Sequence, residues 1–315
     1  MKSKYKFPLF AIGAMGLLLL TATVSLAKGS GGVAAQKVDL NIFQALFLGL
    51  VQGITEFLPI SSSAHLKVIP EALGWGDPGS SFTAIIQLGS IAAVIWFFWG
   101  DIVNVISGAL TAIRKKDYQS LEFQMAAGIA LGTLPIVFFG LLIKIFIPDF
   151  DKSPLRSLGA IAIASIVMSI LLGIAEKVGS RKRDLGNLTI MDGIWMGLGQ
   201  AIALIPGCSR SGSTLTAGLF MGLERAAAAR FSFLLGIPSI TLAGLVELKG
   251  VISDGVGVSP LALVVGTISA AIFSYLSIAW LLKFLQTNNT FIFIWYRLAF
   301  GVAILTALAT GGLKS

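Results

Sequence analysis

Two polar interruptions, each a proline followed by a cluster of hydroxyl residues, break stretches of this chain that are otherwise apolar. The first runs Gln52-Gly53-Ile54-Thr55-Glu56-Phe57-Leu58-Pro59-Ile60-Ser61-Ser62-Ser63-Ala64-His65. The second runs Gln200-Ala201-Ile202-Ala203-Leu204-Ile205-Pro206-Gly207-Cys208-Ser209-Arg210-Ser211-Gly212-Ser213-Thr214. Non-helical backbone at membrane depth is tolerated only where protein buries it or a polar cavity receives it. Interrupted helices at corresponding places in two halves of a membrane chain point to a binding site between the halves. The fold must therefore bring two broken segments together inside a bundle of unbroken helices.

That inference needs a membrane, and composition supplies it. Only 12% of the residues are charged and the mean hydropathy is +0.89, against about 25% charged residues in soluble domains. The formal charge of +8 does not describe a nucleic-acid-binding face. Its carriers gather in short connections, Arg114-Lys115-Lys116 and Lys177 to Arg183, as expected of loops on the cytoplasmic side. One cysteine and one histidine exclude an intrachain disulfide and a conventional zinc cluster.

Six stretches are long enough to span a bilayer, at about 82–100, 122–147, 157–175, 231–249, 259–283 and 291–312. The interrupted segments, about 40–73 and 188–223, fit re-entrant helix pairs with their tips at depth. Residues 1–36 read as a signal peptide or an extra anchor helix followed by a linker, and 37–315 as one membrane-embedded domain. Either reading of the leader puts Gly29 onward outside. Loop charges then alternate consistently, apart from Lys152 and Arg156 in an outside loop. The predicted architecture is an all-α polytopic membrane protein with an inverted-topology repeat. Each half, about 40–175 and 188–312, is a re-entrant hairpin plus three transmembrane helices. A second local match, Phe82 with Leu88-Gly89-Ser90-Ile91 against Phe231 with Ile237-Pro238-Ser239-Ile240, supports it.

The chemistry lies at the tips. Gln52 and Glu56 are four apart and share a helical face. Pro59 ends that helix, because the residue before a proline avoids the α region. Ser61, Ser62 and Ser63 form the turn, and His65 falls in the first turn of the returning helix. Carboxylate, hydroxyl and imidazole within reach of one another make an activated nucleophile. At the second tip Gly207 permits a tight turn, and Ser209 to Thr214 offer hydroxyls, a helix N-terminus and the Arg210 guanidinium. Those groups suit a phosphate. Ionisable groups at membrane depth are functional candidates, which singles out Glu56, His65 and Arg210. Gln52 and Gln200 also fit helix–helix contacts. Ser90, Ser169, Ser274 and Ser277 fit hydrogen bonds to neighbouring carbonyls, and Lys144 and Arg297 fit snorkelling or structural pairing.

The segment Glu56 to His65 and the segment Pro206 to Thr214 resemble the two signatures of the undecaprenyl-diphosphate phosphatase family, also called the bacitracin-resistance protein family. The similarity covers about residues 40–312. It implies hydrolysis of a polyprenyl diphosphate membrane lipid to the monophosphate and inorganic phosphate, regenerating the carrier for peptidoglycan synthesis. It further implies a site opening to the periplasmic side of the bacterial inner membrane, Mg²⁺ or Ca²⁺ as cofactor, and no nucleic-acid partner; a homodimer stays open. The resemblance carries over Glu56, Ser62, His65, Ser209 and Arg210 as essential, with Thr214 supporting. Together with the hydroxyls of the second tip this makes Glu56, Ser62 and His65 the catalytic candidates and Ser209, Arg210, Ser211 and Thr214 the phosphate-binding ones. Glu56 and Gln52 are candidate metal ligands. Gln52 is the glutamine form of the family's (E/Q)xxxE pattern, and residues 1–36 extend beyond it.

Two mechanisms are compatible with these residues. In one, Ser62 attacks the terminal phosphorus with His65 as base and Glu56 orienting it. In the other, metal-activated water attacks directly. A lipid flippase or ion-coupled transporter built on the same repeat is the competing function.

Overall fold

A computed structural model describes residues 40–147, 150, 153–254 and 258–313; the leader, the linker and Lys152 lie outside the described residues. Among the described residues the elements are helices, with no strand. In chain order they are α1 (Ile42–Phe57), α2 (Ser62–Ala72), α3 (Gly79–Phe97), α4 (Trp99–Lys115), α5 (Leu121–Phe146), α6 (Leu158–Val178), α7 (Ile190–Ile202), α8 (Arg210–Phe220), α9 (Arg225–Asp254), α10 (Pro260–Thr287) and α11 (Phe291–Ala309). Six of them, α3, α5, α6, α9, α10 and α11, are long and apolar enough to cross a membrane. They match the six expected spans, so the chain is a multi-pass helical membrane protein.

The interrupted segments fold as two short helix pairs, α1–α2 and α7–α8. Asn41 caps α1 reciprocally with Gln44, each side chain bonding the other's backbone N–H at 2.9 Å. At the other end Leu58 is extended before Pro59, and the helix stops there. In the second pair the Asp192 carboxylate accepts the Thr189 N–H and hydroxyl, both at 2.8 Å, fixing the start of α7.

One element departs from expectation. The stretch after α3, read from sequence as a connection, forms the 17-residue helix α4. Its apolar residues return at helical spacing and turn Val105, Ala109 and Ala112 inward. The segment is too polar to register as a span, so a search for spans passes over it.

Close packing seats the broken pairs. Helix α1 lies along α10, and α7 lies along α5, so each pair is held chiefly by a span of the other half. Glycine makes both approaches feasible. A Cβ on Gly49 would stand 2.2 Å from the Gly266 carbonyl oxygen, and one on Gly197 2.1 Å from that of Gly132. Small residues play this part in membranes, where helices associate by close packing rather than by exclusion of water. Helices α6 and α11 pack together, as do α3 and α9. Between them Phe57, Phe98, Phe231 and Phe233 form a buried aromatic centre.

Basic residues of the connections are tied down at the helix ends. Arg225 pairs with buried Glu176, which also accepts the Thr290 hydroxyl at 2.8 Å. Arg183 meets Asp192 through two bonds, at 2.8 and 2.5 Å, and Arg230 meets Asp101 at 2.6 Å.

Candidate active site

Both tips turn in the same way. Ser61 has φ +75° and Ser209 φ +66°, a left-handed backbone costing about 1–3 kcal/mol in a residue other than glycine. Each bonds the hydroxyl two residues on, Ser61 to Ser63 and Ser209 to Ser211, both at 3.2 Å. Each precedes the first residue of a helix, Ser62 for α2 and Arg210 for α8. Two positively polarised helix N-termini thus converge on one region. The tips also touch, for the Ser211 hydroxyl donates to the Leu58 carbonyl at 2.9 Å.

Glu56 is the centre of the polar cluster. Its Oε2 accepts from the Ser62 hydroxyl at 2.7 Å and from Gln52 Nε2 at 3.2 Å, and its Oε1 accepts from Arg210 at 3.3 Å. The Glu56 and Arg210 side chains are only 9% and 10% exposed, so the ion pair acts in a medium of low polarity, where attraction is strong. Arg210 is nonetheless only partly used. Its Nε and one terminal nitrogen are buried and find no protein partner among the described residues. Its carbon lies 5.9 Å from the centre of the Phe57 ring. Arg210 is thus a cation with donors to spare, opposite a carboxylate that already holds a hydroxyl.

A cavity of about 340 Å³ reaches this cluster, with Gln52, Ser62, Ser63, Lys67, Gln87 and Arg156 in its wall. Ser62 therefore lies between this cavity and the Glu56 carboxylate; Glu56 and Arg210 themselves stand behind the wall.

The remaining expected residues divide. Ser209 accepts the Gly212 N–H at 3.2 Å, and Thr214 donates to the Arg210 carbonyl at 2.8 Å and meets the Ser232 hydroxyl at 2.5 Å. With Ser211 on Leu58, these hydroxyls shape the tip and leave Arg210 as the group facing Glu56. His65 is not brought to Ser62 or Glu56. Its Nδ1 lies 2.7 Å from the Ser61 carbonyl and its Nε2 2.7 Å from the Tyr296 hydroxyl, and its ring stacks 4.3 Å from Phe300. A carbonyl only accepts, so Nδ1 carries a proton, and Nε2 is engaged by the Tyr296 hydroxyl. Gln200 accepts from Ser239 at 3.0 Å, joining α7 to α9 as a helix–helix contact. Ser169 and Ser277 bond carbonyls as expected, whereas Ser274 bonds the Ser90 hydroxyl at 2.8 Å, which in turn lies 3.5 Å from Gln52.

Two contributors were not foreseen, and a third does more than expected. Tyr296 holds His65; only its position beside an intramembrane arginine could have drawn attention. Gly236 makes room for Arg210, since a Cβ there would lie 1.6 Å from a guanidinium nitrogen; sequence carries no sign of this. Arg297, expected to pair structurally, reaches both tips.

Bilayer-length helices around two broken pairs, with a part-buried hydroxyl, carboxylate and guanidinium at their junction, define a class: a polytopic helical membrane protein with a polar, charged cluster where its broken pairs meet. The comparisons with known proteins narrow it. The chain belongs to the family described as bacitracin resistance protein BacA, whose model matches residues 45–303. A Nostoc protein named undecaprenyl-diphosphatase is 64% identical over 304 residues, covering 96% of this chain and 94% of its own. Proteins of the same name from Synechocystis and Gloeobacter violaceus are 62% and 53% identical, over 89% and 87% of this chain and 86% and 94% of theirs.

Proposed function

We propose that this chain is an integral membrane undecaprenyl-diphosphatase. It hydrolyses undecaprenyl diphosphate to undecaprenyl phosphate and inorganic phosphate, returns the lipid carrier to peptidoglycan synthesis, and so confers bacitracin resistance. The observation that carries the reading is the Ser62 hydroxyl directed at Glu56 at 2.7 Å, with Arg210 paired to the same carboxylate. The names of the relatives supply the substrate.

The mechanism we favour starts with Ser62 attacking the terminal phosphorus while Glu56 takes its proton. The bond to the bridging oxygen breaks, undecaprenyl phosphate leaves, and the phosphoryl group stays on Ser62. Glu56 hands the serine proton to the departing undecaprenyl phosphate. Water then attacks the phosphoserine, giving a proton to Glu56, which passes it to Ser62 Oγ as inorganic phosphate departs. Arg210 donates its spare N–H groups to the phosphoryl oxygens, where charge builds up. This gives Glu56 the base role first assigned to His65. With both ring nitrogens engaged, His65 acts instead by holding Ser61, next to the nucleophile.

A divalent cation fits this donor set. Mg²⁺ is commonly held by one or two carboxylates together with substrate phosphates. The described residues contain no cluster of three acidic, histidine or cysteine ligands, so Glu56 and the Gln52 amide oxygen are the protein's candidate donors and the diphosphate supplies the rest. Such an ion would offset charge on the diphosphate.

We further propose the inverted repeat, with α1, α2, α3, α5 and α6 equivalent to α7, α8, α9, α10 and α11. Its support is the exchange of partners, α1 on α10 and α7 on α5, together with the matched serines at the tips and the matched Gln52–Ser90 and Gln200–Ser239 contacts. We also propose that the site opens to the periplasmic face of the inner membrane; the support is the gathering of basic residues in connections expected on the cytoplasmic side.

The test is phosphate release from undecaprenyl diphosphate by the detergent-purified chain, with and without Mg²⁺, beside Arg210→Ala. Metal-dependent release that collapses in the variant supports the reading. No release from a folded sample sinks it and favours lipid transport.

A further inference from the structure

Among the described residues Arg297 is the largest side chain that the fold buries completely, at 0% exposure, and it sits in the apolar span α11. A charge taken into such surroundings normally meets an opposite charge. Among the described residues Arg297 has no carboxylate at ion-pair distance. Every acceptor it uses is neutral: the Pro59 carbonyl at 3.3 Å, the Gly207 and Cys208 carbonyls at 2.8 and 3.1 Å, and the Ser165 hydroxyl at 3.4 Å. The two terminal nitrogens divide by tip. One donates to Pro59, three residues past Glu56 and three before Ser62. The other donates to Gly207 and Cys208, just before Arg210.

We infer that Arg297 is a positioning residue: its rigid guanidinium fork fixes the separation of the two tips, and so the alignment of Ser62 against Arg210. The inference rests on the reading of Glu56, Ser62 and Arg210 as the reacting cluster. Only a planar fork spans the two tips at once; a lysine ammonium keeps the charge without that geometry. The surroundings are cut to fit it. A Cβ on Gly212, in the first turn of α8, would lie 2.7 Å from the nitrogen that donates to Pro59. The glycine of the second motif therefore keeps open the path from Arg297 to the first tip. The preceding residue, Tyr296, reaches the same tip through His65. Helix α11 thus clasps the site from behind with two successive side chains.

Two variants of the full chain in detergent test this, with undecaprenyl diphosphate as substrate and thermal melting as the check on folding. Arg297→Lys is expected to lower kcat about 100-fold with KM within about threefold, as misalignment rather than lost charge predicts. Gly212→Ala keeps Arg297 and places a better helix former in α8, yet is expected to lower kcat about tenfold or more at an unchanged or raised melting point. Should Arg297→Lys not fold, Gly212→Ala decides. Wild-type kcat in Gly212→Ala, or a loss that merely follows a fallen melting point, overturns the inference. If the wild type hydrolyses the lipid and Arg210→Ala does not, such a result removes the positioning role alone. No release from the wild type removes the functional reading and this inference with it.

Discussion

The Ser62 hydroxyl and the Glu56 carboxylate, six residues apart in sequence, face each other at 2.7 Å across the turn made by Pro59 and Ser61. In the proposed mechanism the proton that leaves the serine already points at its acceptor. Removing either member should therefore be severe: Ser62→Ala and Glu56→Gln should each lower kcat by about 10³-fold or more, as for an activated nucleophile and its base. Stopped assays on labelled substrate should show phosphoserine in the wild type and none in Ser62→Ala. Near-normal turnover in Ser62→Ala would exclude the nucleophile.

Tyr296 gives a way to separate the roles of His65 and Glu56. If His65 only holds Ser61, Tyr296→Phe removes one hydrogen bond, worth about 0.5–1.5 kcal/mol, and kcat should fall about tenfold at most. The pH dependence of kcat should keep its shape. A profile whose lower limb moves in Tyr296→Phe would restore His65 as the base.

Gly236→Ala should disable the site without touching a polar residue. The added methyl would stand 1.6 Å from an Arg210 nitrogen, so the guanidinium must swing away. Loss of a charge-stabilising donor costs about 10²–10³ in kcat. The measurement is kcat/KM beside Arg210→Ala, and the double variant should be no worse than the worse single one, since both remove the same contact.

Gly197→Val should act on stability instead. Its side chain would meet the Gly132 carbonyl at 2.1 Å, and overpacking of a tight contact costs about 1–3 kcal/mol or more. A lower melting point in detergent checks this, whereas an unchanged one would mean that α7 and α5 can separate.

Chelation tests the metal. Stripping with EDTA should abolish turnover, and Mg²⁺ or Ca²⁺ should restore it. Gln52→Glu adds a second carboxylate beside Glu56 and should lower the metal concentration needed for half-activity. Unchanged activity in EDTA would leave the protein groups as sufficient.

The spans and both broken pairs were readable because the bilayer imposes a length and a polarity on them, and the prolines mark where helices stop. Helix α4 was missed because it is too polar to register as a span. Glu56 and Arg210 could be picked out as charges at depth. The choice of partner for Ser62 could not, because spacing alone puts both Glu56, six residues before it, and His65, three after, within reach. That choice depends on Tyr296, more than two hundred residues away, which engages the imidazole. Gly236 was invisible for a related reason: its importance is the space it leaves for a side chain on another helix.

The seating of α1 against α10 has a consequence for biogenesis. The Ser269 hydroxyl that bonds the Leu46 carbonyl at 2.8 Å is separated from it by 223 positions. As the chain emerges in order, the first broken pair enters the membrane long before the helix that will hold it has been made. Its polar turn must wait there, shielded by lipid headgroups, water or the insertion machinery, until nearly the last span arrives. Truncation before α10 should leave this early segment the most readily degraded part of the nascent protein.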